Sequence, residues 1–330
     1  MSLAKKIILI LLPVIMLFLS LFLGRYPIAP ITLLKALISK VCFFLPIEQS
    51  WNDTVEVVLF RIRFPRAVMA LLVGSGLSIS GASFQGMFHN PLVSPYLLGV
   101  SSGAGFGAAI ALLINLPSIG IQGMAISFGI IAVLITYAIS RVSKTTPILM
   151  LVLSGVVVSS LFMALISLVK YTADPYDKLP AIVFWMMGSL GNSTFDDVLI
   201  TTPIMGLGMS TLLLLRWRIN LLSMGEREAR AMGVNAELMK KIIIGASTFI
   251  SAAAVSVSGI IGWVGLVIPH ICRMLVGPDH RLLLPATISI GATYLLLIDD
   301  LARTAVQAEI PLGVLTAIIG APFFAFLLRR

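Results

Sequence analysis

The sequence predicts an all-α membrane protein of about ten transmembrane helices, and three observations carry that prediction. Hydrophobic residues make up 58% of the 330 residues and charged residues 11%, against roughly 45–50% and 25% in soluble domains. Mean hydropathy is +1.06. The apolar residues fall in continuous runs, whereas barrel strands would alternate every second residue. At about 20 residues per crossing, ten spans leave short loops and little room for a separate soluble domain. One transmembrane domain over residues 1–330 is therefore expected.

The first run, residues 7–23, follows Lys5 and Lys6. It exceeds the 7–15 residue core of a signal peptide and no A-x-A-like site follows it, so it reads as a retained span with the amino terminus in the cytoplasm. Further spans are expected at 67–87, 96–114, 124–139, 148–169, 198–215, 242–261, 263–276, 282–298 and 312–328. The 263–276 segment is short and broken by Pro269. Segments 32–45 and 181–190 are too short to cross and are expected at the outer surface. Cys42 and Cys272 form no CxxC pair, and the topology sets them on opposite sides, which excludes thiolate redox or zinc chemistry.

Ten spans put both termini in the cytoplasm. That side then holds fourteen cations against four acids, and the outer side nine cations against ten acids. The asymmetry follows the positive-inside rule; the basic balance is insertion chemistry and implies no nucleic acid. Arg61, Arg63 and Arg66 are the exception, three cations just before the second span on the outer side. Snorkelling to lipid phosphates and docking of an acidic partner both account for them.

The longest polar interruption, about residues 217–239, alternates apolar and charged residues at helical spacing. Leu221, Leu222, Ala229 and Met232 fall on one face, with Glu226, Arg227 and Arg230 on others, and Gly233 ends the pattern as a left-handed cap does. A helix lying on lipid would be mostly basic; the mixed charges favour a short helical hairpin fitting a cleft on a cytoplasmic protein. The dipeptide Gly-Lys is absent, so no P-loop binds ATP phosphates in this chain. Gly99, Gly103 and Gly107, spaced by four, mark close helix packing. His89, His270 and His280 form no metal-binding pair. Asp299 and Asp300 precede Arg303 by one turn, which favours a structural ion pair over a proton relay. Ser78, Ser80, Gly81 and Pro91 match Ser256, Ser258, Gly259 and Pro269 in spacing, as an inverted repeat would.

Four segments stand out: RFPRAVMALLVGSGLSISGASFQGMFHNPLVSPYLLGVSSGAGFGAA (63–109), GEREARAMGVN (225–235), GWVGLVIPHICRMLVGPDHRLLLP (262–285) and DLARTAVQAEIPLGVLTAIIGAPFFAFLLRR (300–330). In this order they resemble the signatures of the FecCD-type ABC transporter permeases, importers of iron–siderophores, haem and cobalamin. The resemblance implies a type II importer permease in the inner (cytoplasmic) membrane. It implies a homodimer with the pore at its interface, two cytoplasmic ATPase subunits that hold ATP and Mg, and one extracytoplasmic substrate-binding protein. This chain would bind no cofactor and catalyse no reaction. By motif match, Arg63, Arg66 and Arg303 would dock the binding protein, and Leu221, Gly225, Glu226, Arg230, Ala231 and Gly233 would couple to the ATPase. Asn90 and Leu92 would form part of the cytoplasmic gate, with the loop around Thr145 and Thr146. The Asp299–Asp300 pair departs from relatives that carry a single Asp there.

The expected function is translocation of a metal chelate by ATP-driven alternating access, an iron–siderophore first, with haem, cobalamin or an oxyanion such as molybdate open. The competing readings are an ion-coupled transporter using Asp299 or Asp300, and an intramembrane enzyme using its histidines.

Overall fold

The computed structural model describes residues 3–41, 51–141 and 147–327. Cys42, the loop holding Thr145 and Thr146, and the terminal Arg329 and Arg330 lie outside them. Among the described residues all regular structure is helical. The helices are α1 (Leu3–Phe22), α2 (Pro30–Val41), α3 (Asp53–Glu56), α4 (Phe64–Phe88), α5 (Val100–Leu113), α6 (Ser118–Ser140), α7 (Ile148–Thr172) and α8 (Lys178–Met187). They continue with α9 (Phe195–Leu214), α10 (Arg216–Leu222), α11 (Glu226–Ala231), α12 (Ala236–Ser258), α13 (Val264–Val276), α14 (His280–Thr304) and α15 (Leu312–Leu327). A π-helical stretch, Val57–Arg63, joins α3 to α4, so Asp53–Phe88 forms one continuous helix. Among the described residues six helices are long and apolar enough to cross a membrane, and shorter apolar helices lie between them and at either end. Each of the ten expected runs falls on its own helix, and the two short segments fall on α2 and α8.

The core is organised around α4. In its most apolar stretch 83% of residues are buried, against 28% in α7 and 22% in α9. A membrane offers no hydrophobic drive between helices, so close approach of small residues does the packing. The register between α4 and α14 is antiparallel: Arg66 meets Asp299 at one end, and Gly86 meets His280 at the other. Between them a Cβ on Gly74 would lie 2.2 Å from the Gly291 carbonyl oxygen. Against α13, a Cβ on Gly81 would lie 1.8 Å from the Gly265 carbonyl oxygen; no side chain fits there.

Gly103 and Gly107 pack as expected, their faces against the Phe128 and Met124 carbonyls of α6. Gly99 does not belong to that stripe. It precedes α5 as its N-cap with φ +85°, so it serves a left-handed turn, and it faces Ser159 and Val158 of α7 rather than α6. The serine-glycine repeat also fails to occupy equivalent positions. Gly81 lies inside α4, whereas Gly259 terminates α12 with φ +66°. The segment between α12 and α13 is non-helical, and α13 starts at the depth of Gly81. Irregular backbone at such depth is tolerated where protein buries it, and Gly259 and Ile261 are buried.

Candidate functional site

Two ends of the α4–α14 pair carry the polar chemistry. At the first end, the π-helical stretch turns directly into α4 at Phe64 and Pro65. Arg63 and Arg66 lie three apart on one inward face, 5% and 6% exposed, while Arg61 is exposed. Arg66 donates to both oxygens of Asp299 (Nε to Oδ2 2.9 Å, Nη2 to Oδ1 2.9 Å) and through Nη1 to Glu309 (2.8 Å). Arg303 donates to Asp300 (2.6 Å) and to the carbonyls of Ser20 (2.7 Å) and Leu23 (2.7 Å). Ser20 Oγ also donates to Asp300 (2.6 Å). Arg63 donates to the carbonyls of Leu21 (2.8 Å) and Tyr26 (2.5 Å).

Arg66 and Arg303 thus face the three carboxylates of Asp299, Asp300 and Glu309, whereas Arg63 is held by backbone carbonyls. Arg66 meets both oxygens of Asp299 with its planar fork, the geometry that makes such pairs strong. The network ties the end of α1, the start of α4, the end of α14 and the loop before α15 into one unit. Asp299 serves Arg66, and Asp300 serves Arg303; this accounts for the doubled acid. Glu309, on the loop between α14 and α15, is held below the usual glutamate range by its hydrogen bond to Arg66. It was not singled out from the sequence. Its partner is 243 positions away, and no local pattern marks an acid in a loop.

Beside this cluster lies a cleft of about 710 Å³ with a mixed lining, Gln122, Asn192, Thr194 and Asp197 facing apolar residues such as Phe184 and Trp185. Gln122 donates to Asp197 across it (2.6 Å). Asp197 and Thr194 also close a capping box at the start of α9.

At the second end, α10 and α11 form the expected short hairpin. Leu222, Ala229 and Val234 are buried under it, and Leu221 packs partly against the same core. Met232 departs from expectation: it is 62% exposed, and Met224 is 67% exposed. The turn into α11 carries Gly225 at φ +137°, and the turn out carries Gly233 at φ +79°. Glu226 is pinned from below by Lys240 (3.1 Å), which is 2% exposed and also pairs with Glu237 (2.5 Å). Arg230 reaches Glu226 at 3.4 Å and is exposed, as are Arg227, Ala231 and Gly233.

The hairpin is joined to the core by two histidines. His89 caps α4 at φ 51°, and its Nε2 donates to the Leu222 carbonyl (2.7 Å). The His280 backbone N–H donates to Asn220 Oδ1 (3.0 Å). Both residues therefore do structural work, and among the described residues no cluster of His, Cys, Asp or Glu could hold a metal. Next to His89, Asn90 Oδ1 accepts from the Leu92 N–H (2.9 Å), and Leu92 is 52% exposed.

A bundle of long apolar helices with a buried ion network at one end and an amphipathic hairpin at the other is the architecture of a multi-pass membrane protein. The model of the FecCD transport family matches residues 10–330, and the chain belongs to that family. It is a permease subunit of an ABC transporter. The chain is 42% identical over 313 residues to the molybdate import system permease protein MolB of Haemophilus influenzae, covering 94% of this chain and 91% of that one. It is 43% identical over 278 residues to a probable iron chelatin transport system permease of Helicobacter pylori, covering 84% of each. A solved inward-facing structure, described as of metal-chelate type, matches with TM-score 0.86 and 43% identity over 98% of this chain and 99% of that one.

Proposed function

We propose that this chain is the membrane-spanning permease of a binding-protein-dependent importer that carries a metal chelate, an iron–siderophore first, by ATP-driven alternating access. The observation that supports it best is the placement of the two polar ends on opposite ends of one rigid antiparallel helix pair. The pair is 25 residues long in each helix, about 37 Å at 1.5 Å per residue. A push on the α10–α11 hairpin reaches α4 through His89 and α14 through Asn220 and His280. The Arg66–Asp299 pair joins the same two helices at the far end.

In this reading the hairpin end faces the cytoplasm, and Gly225, Glu226, Arg230, Ala231 and Gly233 seat in a cleft of the ATPase. Asn90 and Leu92 belong to the gate at that end. The arginine end faces outward and receives the binding protein. Arg66 and Arg303 already hold carboxylates, so an incoming glutamate would compete with Glu309, the half-exposed acid of the network, for Arg66. Two copies of the chain would enclose the path, since α7 leaves Val156, Val157 and Leu161 uncovered. Asp299 and Asp300 are each bound to an arginine, which disfavours the ion-coupled alternative.

The molybdate permease relative covers the greater share of this chain, so an oxyanion is the second substrate reading. The test is uptake of labelled ferric siderophore and labelled molybdate into proteoliposomes holding the full importer and its own binding protein. ATP-dependent uptake of the siderophore alone supports the first reading; uptake of molybdate alone overturns it in favour of the second.

A further inference from the structure

We propose that the groove between α1 and α14 at the hairpin end binds one anionic phospholipid, its phosphate held by Arg216 and Arg281 and an acyl chain lying between the helices. The groove has a volume of about 720 Å³ and is lined by Leu9, Ile10, Pro13, Leu282, Pro285 and Ile288, with Arg216, Asp279 and Arg281 at its mouth. That is within the roughly 300–1,000 Å³ of ordinary ligand pockets. A second hollow of about 430 Å³, lined by Leu213, Leu214, Arg216, Pro285 and Ile288, continues it toward α9.

The groove follows from the sequence. Pro13 and Pro285 lie inside facing helices, and each lacks the N–H that would bond four residues back. Pro13 frees the Leu9 carbonyl, and Ser289 Oγ donates to it across the groove floor. Pro285 removes the bond to the Arg281 carbonyl at the mouth. The walls are apolar along their length and cationic at one end only, which is the charge pattern of a phospholipid. A protein segment would need polar complements along the groove.

Arg216 is exposed and has no ionic partner among the described residues. Arg281 pairs with Asp279 (2.8 Å) yet keeps 58% side-chain exposure. Trp217, between Arg216 and Arg218, is 48% exposed, as expected of an indole at headgroup level.

The test places the full-length chain in nanodiscs of equal phosphatidylglycerol and phosphatidylcholine, extracts it mildly, and reads retained lipid by native mass spectrometry. Phosphatidylglycerol should be enriched at least about fivefold, the effect of one basic contact to an anionic headgroup. Arg216→Ala with Arg281→Ala should abolish the enrichment, Arg216→Lys should keep it, and Ile288→Trp should lower all retained lipid. Millimolar inorganic phosphate should displace nothing. Equal retention of the two lipids, enrichment that survives the double variant, displacement by phosphate, or a dimer lost in Ile288→Trp with no lipid retained by the wild type would each overturn the proposal. Should a variant fail to fold, a phosphatidylglycerol with a photoreactive acyl chain must label the α1 segment around Leu9 and Pro13 in the wild type; labelling elsewhere only would also overturn it.

Discussion

Arg66 holds two carboxylates from two different segments while almost wholly buried, and its removal leaves buried Asp299 with only the longer contact to Arg303 Nε, 3.9 Å away. Breaking one member of a buried pair costs roughly 3–5 kcal/mol, because the remaining charge is uncompensated. Arg66→Ala should therefore lower the thermal unfolding midpoint in detergent well below wild type, and Arg66→Ala with Asp299→Ala should recover much of the loss; a double variant as damaged as the sum of both singles would contradict the pairing. Glu309 gives a pH prediction. Its carboxyl is depressed in the folded protein, so its contribution is present above the ordinary glutamate value of roughly 4.3 and is lost as pH falls through the lower folded value. Glu309→Gln should flatten the fall of the unfolding midpoint in that acidic window and leave the neutral slope unchanged. The Arg303 pairing was legible in the sequence because its partners are three and four residues away on one helix. Glu309 was not, because only the fold brings it to Arg66. Nor did charge counting show that Arg63 and Arg66 are buried while Arg61 is exposed.

At the scale of elements, close helix contacts and the hairpin respond to different changes. Gly81→Ala should destabilise the α4–α13 contact, since backbone meets backbone there and nothing flexible can yield. Gly245→Ala on α12, which meets nothing within 4 Å, should be neutral or slightly stabilising, as the better helix former predicts. Comparing the two unfolding midpoints checks whether contact or helix propensity decides. Lys240 is the buried post under the hairpin, and Lys240→Met should free Glu226. Hydrogen exchange across residues 216–235 should then rise while α4 stays protected; unchanged exchange would show that Lys240 does not hold the hairpin. The hairpin and its Gly233 stop were legible from periodicity and turn chemistry. Met232 was assigned inward by that same periodicity, but α11 is only six residues long, too short for a period to fix every face. Gly99 was drawn into a packing stripe by its spacing, whereas helix α5 starts one residue later and Gly99 supplies the turn.

Across the whole molecule, the order of helices was legible because hydrophobic runs of membrane length have few alternative structures. The depth at which α13 begins was not, since hydropathy reports apolar character and not which residues leave the helix. Burial shows how the parts share the work: α4, α12 and α14 form the protected interior, while α7 and α9 remain largely uncovered. In the proposed function this bundle couples an ATPase on one side to a binding protein on the other. ATP hydrolysis in proteoliposomes holding the chain with its ATPase, with and without loaded binding protein, tests that coupling. Loaded binding protein should stimulate hydrolysis, and Arg230→Glu with Met232→Glu on the hairpin should abolish the stimulation while the chain stays folded. Hydrolysis indifferent to the binding protein, or stimulation that survives those hairpin changes, would contradict it.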